Sequence, residues 1–427
     1  MIGLFMPATL PVDQLITCQP SYTGTLKMAF IIKDPDAKNF NYTLDSSSAE
    51  LTALVDKLFE ETNLNRQKLH KKGLKLILMN LIVSKGEKVL ISRDNNFKVI
   101  PRYNALDVGG TAVNTVTSEL EKSKYIQFIT GKNLPFGHGI RSSIQATSKL
   151  NILLDPITLQ LAPSELVLIR EGDTKKLIDY TDTPRSIRIR KELTAYNKLI
   201  RSVYVELRDP SGLTVLQDLN HQIVQRKFID TGEVDIQGRL LFNSGGRSYS
   251  AWSSLSSSAQ RPNIFMDGQP TIEIDYQASA INVVYKALTG SVYTGDPYNL
   301  SVRGIAIPRH IVKAVATISL NSDGVTGPST PVGRKYGELG TSPKAEDQLE
   351  YNQYQSIKKK VTIKDILEAF LTKHNSIRHM FLRGTEVGNK VQCLESDLVF
   401  AVVNELTNRS IPVLTVHDSF IVKASDK

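Results

Sequence analysis

The last strand-forming segment of the chain is the feature that most limits how it can fold. Residues 414–422 read Leu-Thr-Val-His-Asp-Ser-Phe-Ile-Val, so β-branched and apolar residues flank a three-residue polar tip. This pattern predicts a tight hairpin that presents Asp418 at its turn. A second strand-like run, Thr-Ile-Glu-Ile-Asp-Tyr at residues 271–276, reaches the carboxylate of Asp275 near its end.

Two aspartates on neighbouring strands are what a two-metal phosphoryl-transfer site needs. Carboxylate oxygens bind hard cations such as Mg²⁺ (or Mn²⁺), and two ions about 3.5–4 Å apart stabilise the attacking and leaving oxygens. Asp275 and Asp418 are therefore candidate catalytic and metal-binding residues. Asp also favours hairpin turns for conformational reasons, so the His-Asp-Ser tip alone leaves both interpretations open.

Composition narrows the classes of protein to which the chain can belong. Its 427 residues suffice for two or three domains, and a net charge of +9 suits a nucleic-acid or other polyanionic partner. Two cysteines, Cys18 and Cys393, exclude a disulfide scaffold and a cysteine-rich zinc site, which predicts an intracellular protein. No apolar run reaches membrane-spanning length, so we expect no membrane partner.

The first 160 residues predict an N-terminal α+β domain. A short strand-like run at 28–33 precedes three helical stretches and two further strand-like runs, at residues 46–60, 67–83, 111–123, 125–130 and 140–147. Helices followed by two strands are typical of a winged helix, in which 111–123 would be the recognition helix, with Arg141 and Lys149 on the wing. A small α+β packing domain fits the same pattern.

Residues 161–225 predict a thumb-like or connecting helical region. A long helix should start at Thr183-Pro184 and carry a basic face over residues 185–201. That face is either solvated or binds the phosphate backbone of a nucleic acid. Further along, residues 322–357 mix Gly, Pro, Ser and charges and predict a loop, whereas 362–380 and 396–406 have clear helical periodicity.

Four polar motifs lie in a defined order within residues 226–422. They are Gly-Gly-Arg-Ser-Tyr at 245–249, Glu-Ile-Asp-Tyr at 273–276, Arg-His-Ile-Val-Lys at 309–313, and a final segment from Gln392 to Phe420. Together they resemble the superfamily of family A DNA polymerases and phage-type single-subunit RNA polymerases. The resemblance is closest to the transposon-and-virus polymerases of phages, plasmids and integrative elements, and it covers nearly half the chain.

The resemblance implies an α+β right-hand fold of palm, fingers and thumb, with the palm and fingers in residues 226–427. Asp275 and Asp418 match the two palm aspartates that hold the metal ions. Arg309 and Lys313 match the fingers-helix pair that grips the incoming triphosphate; they lie one helical turn apart on the same face. Arg247 matches an arginine that reaches the template or the nucleotide phosphates.

The resemblance also implies contacts with the primer end. His417 either contacts the primer-terminal phosphate or orients the turn. Gln392 and Asp397 either touch the primer-terminal pair or serve as a helix cap and a solvated polar face.

Three positions bear on how the chain would select the sugar and stack the base. Family A DNA polymerases carry Glu where this chain has Ala280, and that Glu blocks the 2′-hydroxyl, so the small side chain predicts that ribonucleotides are accepted. Tyr276 and Asn321 are candidate residues for blocking the 2′-hydroxyl in place of that Glu. Asn321 also stands where a fingers Tyr is expected in relatives.

The sequence therefore predicts a template-directed nucleotidyltransferase, either a polymerase or a primase-like enzyme of a phage, plasmid or integrative element. Its partners would be a DNA or RNA template-primer, nucleoside triphosphates and other replication proteins, in the cytoplasm of the host cell. The alternative is a non-catalytic nucleic-acid-binding replication or regulatory protein that retains a decayed palm.

Overall fold

The computed structural model of this α+β protein describes residues 37–96, 99–133, 139–159, 161, 165–220, 223–324 and 327–426. The predicted run at 28–33 and Cys18 lie outside the described residues. In the described part of the chain, no helix combines the length and apolarity needed to span a bilayer.

The N-terminal region consists of helices packed on a small sheet. Its elements are β1 (Ala37–Asn39), α1 (Ala49–Glu60), α2 (Gln67–Ser84), β2 (Lys88–Leu90), α3 (Gly110–Lys122), β3 (Ile126–Ile129), β4 (Lys132–Asn133), β5 (Gly139–Ile140), β6 (Ser143–Ala146) and α4 (Ser148–Leu154). The sheet has the order β1–β2–β6–β3, and β4–β5 form a hairpin between β3 and β6. The three predicted helices and the two predicted strand-like runs after them are confirmed.

Helix α1 shows why these elements form where they do. Ser48 caps its N-terminus by accepting a hydrogen bond from the backbone N–H of Leu51. Leu51, Leu54, Val55 and Leu58 recur at helical spacing and are buried in the N-terminal core.

The central region contains most of the β-structure. Its elements are β7 (Val167–Glu171), α5 (Pro184–Arg201), β8 (Val205–Arg208), β9 (Val215–Asp218), β10 (Gln225–Asp230), β11 (Gly245–Tyr249), β12 (Ile264–Met266) and β13 (Gln269–Asp275). Helix α5 begins where the sequence predicts, because Thr183 and Ser186 form a reciprocal capping box around Pro184.

The remaining elements are mainly helical and end in a hairpin. They are α6 (Ser279–Thr289), β14 (Leu300–Val302), β15 (Ile305–Ile307), α7 (Arg309–Leu320), α8 (Ser329–Gly340), α9 (Ala345–Lys358), α10 (Ile363–Lys373), α11 (Thr385–Asn408), β16 (Leu414–Val416) and β17 (Ser419–Lys423). Helices α6 to α10 share one hydrophobic core with the first turns of α11.

Two sheets bring distant parts of the sequence together. A six-stranded sheet has the order β16–β17–β13–β12–β8–β9, and a three-stranded sheet has the order β11–β10–β7. Strand β7 pairs in parallel with β10, and β8 pairs with β12. The boundary that the sequence suggests at residue 225 therefore separates strands that hydrogen-bond to each other.

The prediction of a loop over residues 322–357 is wrong, because this stretch forms α8 and α9. Each helix buries only two large residues, Val332 and Tyr336 in α8, and Tyr354 and Ile357 in α9. The rings of Tyr336 and Tyr354 stack at 4.2 Å between centroids and hold the two helices together. Such a narrow apolar stripe leaves little periodicity in the sequence.

Two helix boundaries also differ from the prediction. Helix α10 ends at Lys373, and a 3₁₀ turn covers Asn375–Met380. Helix α11 begins at Thr385, eleven residues before the predicted start at 396. The buried polar residue Lys390, which pairs with Glu233 at 2.6 Å, interrupts the apolar pattern in the early turns of α11.

Candidate functional site

The two predicted aspartates lie together at one end of the six-stranded sheet. Strand β13 pairs antiparallel with β17, and Asp275 lies opposite Ser419. Strands β16 and β17 form a hairpin in which Val416 pairs with Ser419, so His417 and Asp418 form a two-residue turn. The backbone N–H of Tyr276 donates to the Asp418 carbonyl at 3.4 Å, which joins the turn to the end of β13.

The turn imposes an unusual backbone on its first residue. His417 has a φ of 53°, in the left-handed region. A positive φ at this position of a two-residue hairpin matches the right-handed twist of the strands. This geometry places the Asp418 side chain beside the end of β13.

The charges around Asp275 give the site its electrostatic character. Partial desolvation raises the pKa of the Asp275 carboxyl, and the nearby carboxylates of Asp418 and Glu273 raise it further, whereas Lys313 lowers it. Neighbouring like charges disfavour ionisation of Asp275, and a bound cation would relieve that repulsion.

The donor set fits Mg²⁺ bound through two carboxylates. Mg²⁺ keeps several water ligands and is commonly held by one or two carboxylates together with substrate phosphates. Within the described ranges no group of three or more His, Cys, Asp or Glu residues is arranged to hold a metal ion. Asp275 and Asp418 would therefore hold the ions together with oxygens from water and substrate.

Helix α7 carries the two predicted triphosphate-binding residues at its N-terminal end. Lys313 is exposed, makes no hydrogen bond or ion pair with another described residue, and acts electrostatically on Asp275. Arg309 is occupied differently: its Nε donates to Asp296 Oδ2 at 2.9 Å, and its guanidinium lies 5.0 Å from the Tyr298 ring centroid. The structure therefore places Lys313 within electrostatic range of Asp275, whereas the Arg309 side chain is bound to residues of the loop before β14.

Arg247 lies in a network that includes a residue that the sequence analysis missed. Its Nη2 donates to Glu395 Oε2 at 3.0 Å. When the Gln392 amide is turned so that Oε1 faces the guanidinium, Oε1 accepts from Arg247 Nε and Nη1 at 3.1 Å each. Burial raises the pKa of Glu395, as does the charge of Asp418, whereas Arg247 and a hydrogen bond from Ser279 lower it. Glu395 is thus a third carboxylate close to Asp418.

Two glycines that precede Arg247 explain the local course of its strand. Gly245 and Gly246 have φ values of 75° and 74°, next to a register shift between Lys227 and Phe228. A Cβ on Gly246 would lie 2.7 Å from the Phe228 ring, so only glycine permits this close approach. The resulting bulge directs the strand towards α11.

Asp397 is not brought to the carboxylate pair. It forms ion pairs with Arg185 at 2.6 Å and with Arg226 at 2.8 Å. Burial opposes ionisation of Asp397, but the two guanidinium groups hold its pKa below the usual value. At about 100° per residue, Asp397 lies on the far side of α11 from Glu395, which favours a structural role.

The three positions predicted to bear on sugar and base selection are spread over the site. Ala280 is the second residue of α6 and is half-buried against the core of the helical region. Tyr276 follows Asp275 directly, and its ring contacts Phe420 edge to face at 5.7 Å. Asn321 caps the other end of α7, about 12 Å along the axis from Lys313, and donates to the Thr317 carbonyl at 3.0 Å.

His417 is adjacent to Asp418 in the turn, and one of its ring nitrogens lacks a partner among the described residues. Its Nδ1 is buried and has no hydrogen-bond partner within the described residues. Burial lowers the pKa of His417, as does the charge of Arg247, while Asp418 raises it. The imidazole is therefore neutral at pH 7 and can donate or accept one hydrogen bond towards a ligand.

The basic face of α5 divides into two parts. Arg185 forms an ion pair with Asp397. Arg190 forms ion pairs with Glu165 at 2.9 Å and with Asp182 at 2.8 Å. Both arginines are therefore engaged in ion pairs within the protein. Four cations of this helix remain exposed, namely Arg188, Lys191, Lys198 and Arg201.

Comparison of the chain with protein-family models, with curated proteins and with solved structures found no match.

Proposed function

We propose that this chain is a template-directed nucleotidyltransferase with the palm and fingers of a right-hand polymerase. The observation that carries the proposal is the pairing of β13 with the β16–β17 hairpin, which sets Asp418 beside Asp275. From α7, exposed Lys313 acts electrostatically on Asp275. Two carboxylates opposite a basic helix are the groups that phosphoryl transfer requires.

Each residue has a defined task in this proposal. Asp275 and Asp418 would hold two Mg²⁺ (or Mn²⁺) ions, and such ions would supply neutralisation of the charge on the reacting phosphate. Lys313 contacts the triphosphate as a point charge. Arg309 reaches the triphosphate once its ion pair with Asp296 opens, and Glu395 with Gln392 fixes the guanidinium of Arg247.

Substrate preference follows from the small side chain at position 280. Ala280 is the second residue of α6, five residues after Asp275, and its small side chain would leave space beside the nucleotide sugar. The enzyme should therefore accept ribonucleotides, and a primase-like role for a phage, plasmid or integrative element fits this preference.

The N-terminal region would engage the nucleic acid. Helix α3 is followed by the β3–β6 pair and its β4–β5 hairpin, an arrangement that supports a winged-helix-like role. Arg141 lies between β5 and β6 and donates to Asn39 at 3.3 Å. The prediction that Lys149 lies on the wing is wrong, because Lys149 is on helix α4, 3.7 Å from the Tyr125 ring centroid.

Primer extension on a defined template tests the proposal. The purified protein should add the complementary nucleotide only when Mg²⁺ or Mn²⁺ is present, and changing the templating base should change the nucleotide added. Binding of template-primer without any incorporation, under either metal and with either nucleotide set, would instead support a non-catalytic nucleic-acid-binding protein.

A further inference from the structure

One face of the β11–β10–β7 sheet carries two cations that have no counter-charge among the residues that the structure describes. Lys227 on β10 and Arg170 on β7 are both half-buried. Register places Lys227 opposite Leu168 and Ile229 opposite Arg170, so both cations lie on the same face of the parallel pair. Neither side chain forms an ion pair within the described residues, and Arg170 Nε is buried without a hydrogen-bond partner.

The two cations interact unfavourably with each other. Burial lowers the pKa of Lys227, and the charge of Arg170 lowers it further, with no carboxylate acting in the opposite direction. Two half-buried cations without a carboxylate are costly in a free protein, because neither desolvation nor repulsion is offset. A bound anion would offset both.

An exposed aromatic ring completes the surface. Lys227 Nζ lies 4.7 Å from the centroid of the Tyr249 ring, and Tyr249 is 43% exposed. Tyr249 pairs with Gln225, two residues before Lys227, so its ring shares the face with the two cations. Cations that contact phosphates beside an aromatic ring that stacks a base form the usual surface for a single strand of nucleic acid.

The surface adjoins the candidate active site. Lys227 lies directly opposite Arg247 across the β10–β11 pair, and Arg247 contacts Glu395 beside Asp418. A row of three cations thus runs from the carboxylates across the sheet. Arg247 already has a carboxylate partner, which leaves Lys227 and Arg170 for the anion.

We propose that this sheet face binds a single-stranded nucleic acid, with Arg170 and Lys227 on its phosphates and Tyr249 stacked on a base. Strand binding by this face follows from the contacts of Arg170, Lys227 and Tyr249. The further step, in which the bound strand is led to Asp275 and Asp418, rests on the proposed function.

Fluorescence anisotropy with a labelled oligothymidylate of about 20 nucleotides tests the surface without metal or nucleotide. Lys227→Met should weaken binding about tenfold and reduce the slope of log K against log salt by about 0.7. Its melting temperature should stay equal or rise, because a repulsive cation is removed. Tyr249→Leu should weaken binding about tenfold with no change in slope.

Two controls separate this surface from a general charge effect and from damage to the fold. Lys57→Gln removes one exposed charge on α1 and should change the affinity less than twofold. Lys227→Arg keeps the charge and should keep the wild-type slope. Unchanged affinity in Lys227→Met and Tyr249→Leu would overturn the inference, as would a lower melting temperature with an unchanged slope.

A second arm identifies the source of the phosphate and separates the two proposals. Binding of a nucleoside triphosphate should be equal in wild type and Lys227→Met, and loss of that binding instead of oligonucleotide binding would refute a strand-binding surface. Lys227-dependent oligonucleotide binding by a protein that never incorporates nucleotides would refute the proposed function and leave this inference standing.

Discussion

Arg247 on β11 donates to the Glu395 carboxylate on α11 across 3.0 Å, and Glu395 in turn lies within electrostatic range of Asp418. Burial and the charge of Asp418 raise the pKa of Glu395, whereas Arg247 and the hydrogen bond from Ser279 oppose that rise. The pair therefore fixes a guanidinium beside the carboxylates while leaving Asp275 and Asp418 open to ligands.

Replacing Glu395 with Gln should remove the negative charge that holds Arg247, and so weaken this contact without opening a cavity. We expect kcat/KM for nucleotide addition to fall about tenfold to a hundredfold, since a charge-assisted hydrogen bond of about 1.5–3 kcal/mol is lost. Steady-state kinetics with a defined template-primer measure the effect. Glu405→Gln on the exposed end of the same helix is the control, and an equal loss in that variant would contradict a role for the Arg247 pair.

Sugar selection should depend on position 280. Native protein should use ribonucleotides at least as well as deoxyribonucleotides, and Ala280→Glu should shift the preference towards deoxyribonucleotides by obstructing the 2′-hydroxyl. Comparison of kcat/KM for matched nucleotide pairs decides the point. Ala280→Ser is the matched small variant, and strong discrimination against ribonucleotides by the native protein would refute this role for Ala280.

Nucleic-acid binding should weaken linearly on a log–log plot as salt increases, because bound phosphates release counterions. The exposed cations Lys191 and Lys198 on α5 should contribute, whereas Arg190 is committed to Glu165 and Asp182. Substituting both lysines with Gln should lower the slope by about 1.4–1.8 if both meet phosphates. A flat salt dependence of the native protein, measured by filter binding, would contradict an electrostatic interface.

Stability should fall in mild acid because of His374. This fully buried ring has Nδ1 2.8 Å from Tyr285 Oη and Nε2 2.9 Å from the Pro297 carbonyl, which can only accept. Nε2 therefore donates, Nδ1 accepts from the Tyr285 hydroxyl, and the ring is neutral. Burial lowers the pKa of His374, so protonation favours the unfolded state, whose histidine pKa is about 6.5.

The free energy of unfolding should then be highest above about pH 6.5 and decline below it by up to about 1.4 kcal/mol per pH unit for this one group. Urea unfolding at several pH values, with His374→Gln beside the native protein, should show a shallower decline in the variant. His379→Gln, at an exposed position, should leave the decline unchanged. Equal slopes in His374→Gln and native protein would contradict this origin.

Sequence patterns located the aspartates because both lie in strands with strong local signals. Thr271, Ile272 and Ile274 precede Asp275, and Phe420, Ile421 and Val422 follow the turn at Asp418, so each strand was visible alone. Their adjacency followed from the family resemblance and is observed in the register of β13 with β17.

Glu395 escaped sequence analysis for a physical reason. Its partner Arg247 lies 148 residues away, and the turns of α11 around it alternate buried polar and apolar residues, which hides the helical period. The surface formed by Arg170 and Lys227 could not be predicted from the sequence either, because only the parallel pairing of β7 with β10 brings these two residues together. Contacts that depend on long-range strand pairing leave no local trace.

We propose above all that Asp275 and Asp418 together catalyse metal-dependent nucleotide transfer. The most direct measurement is single-turnover incorporation by native protein, Asp275→Asn and Asp418→Asn, alongside melting temperatures with and without Mg²⁺. We expect Mg²⁺ to stabilise only the native protein, and both variants to lose incorporation while folding at least as stably without metal, because one of two repelling charges is gone. Substantial incorporation by either folded variant would contradict the account.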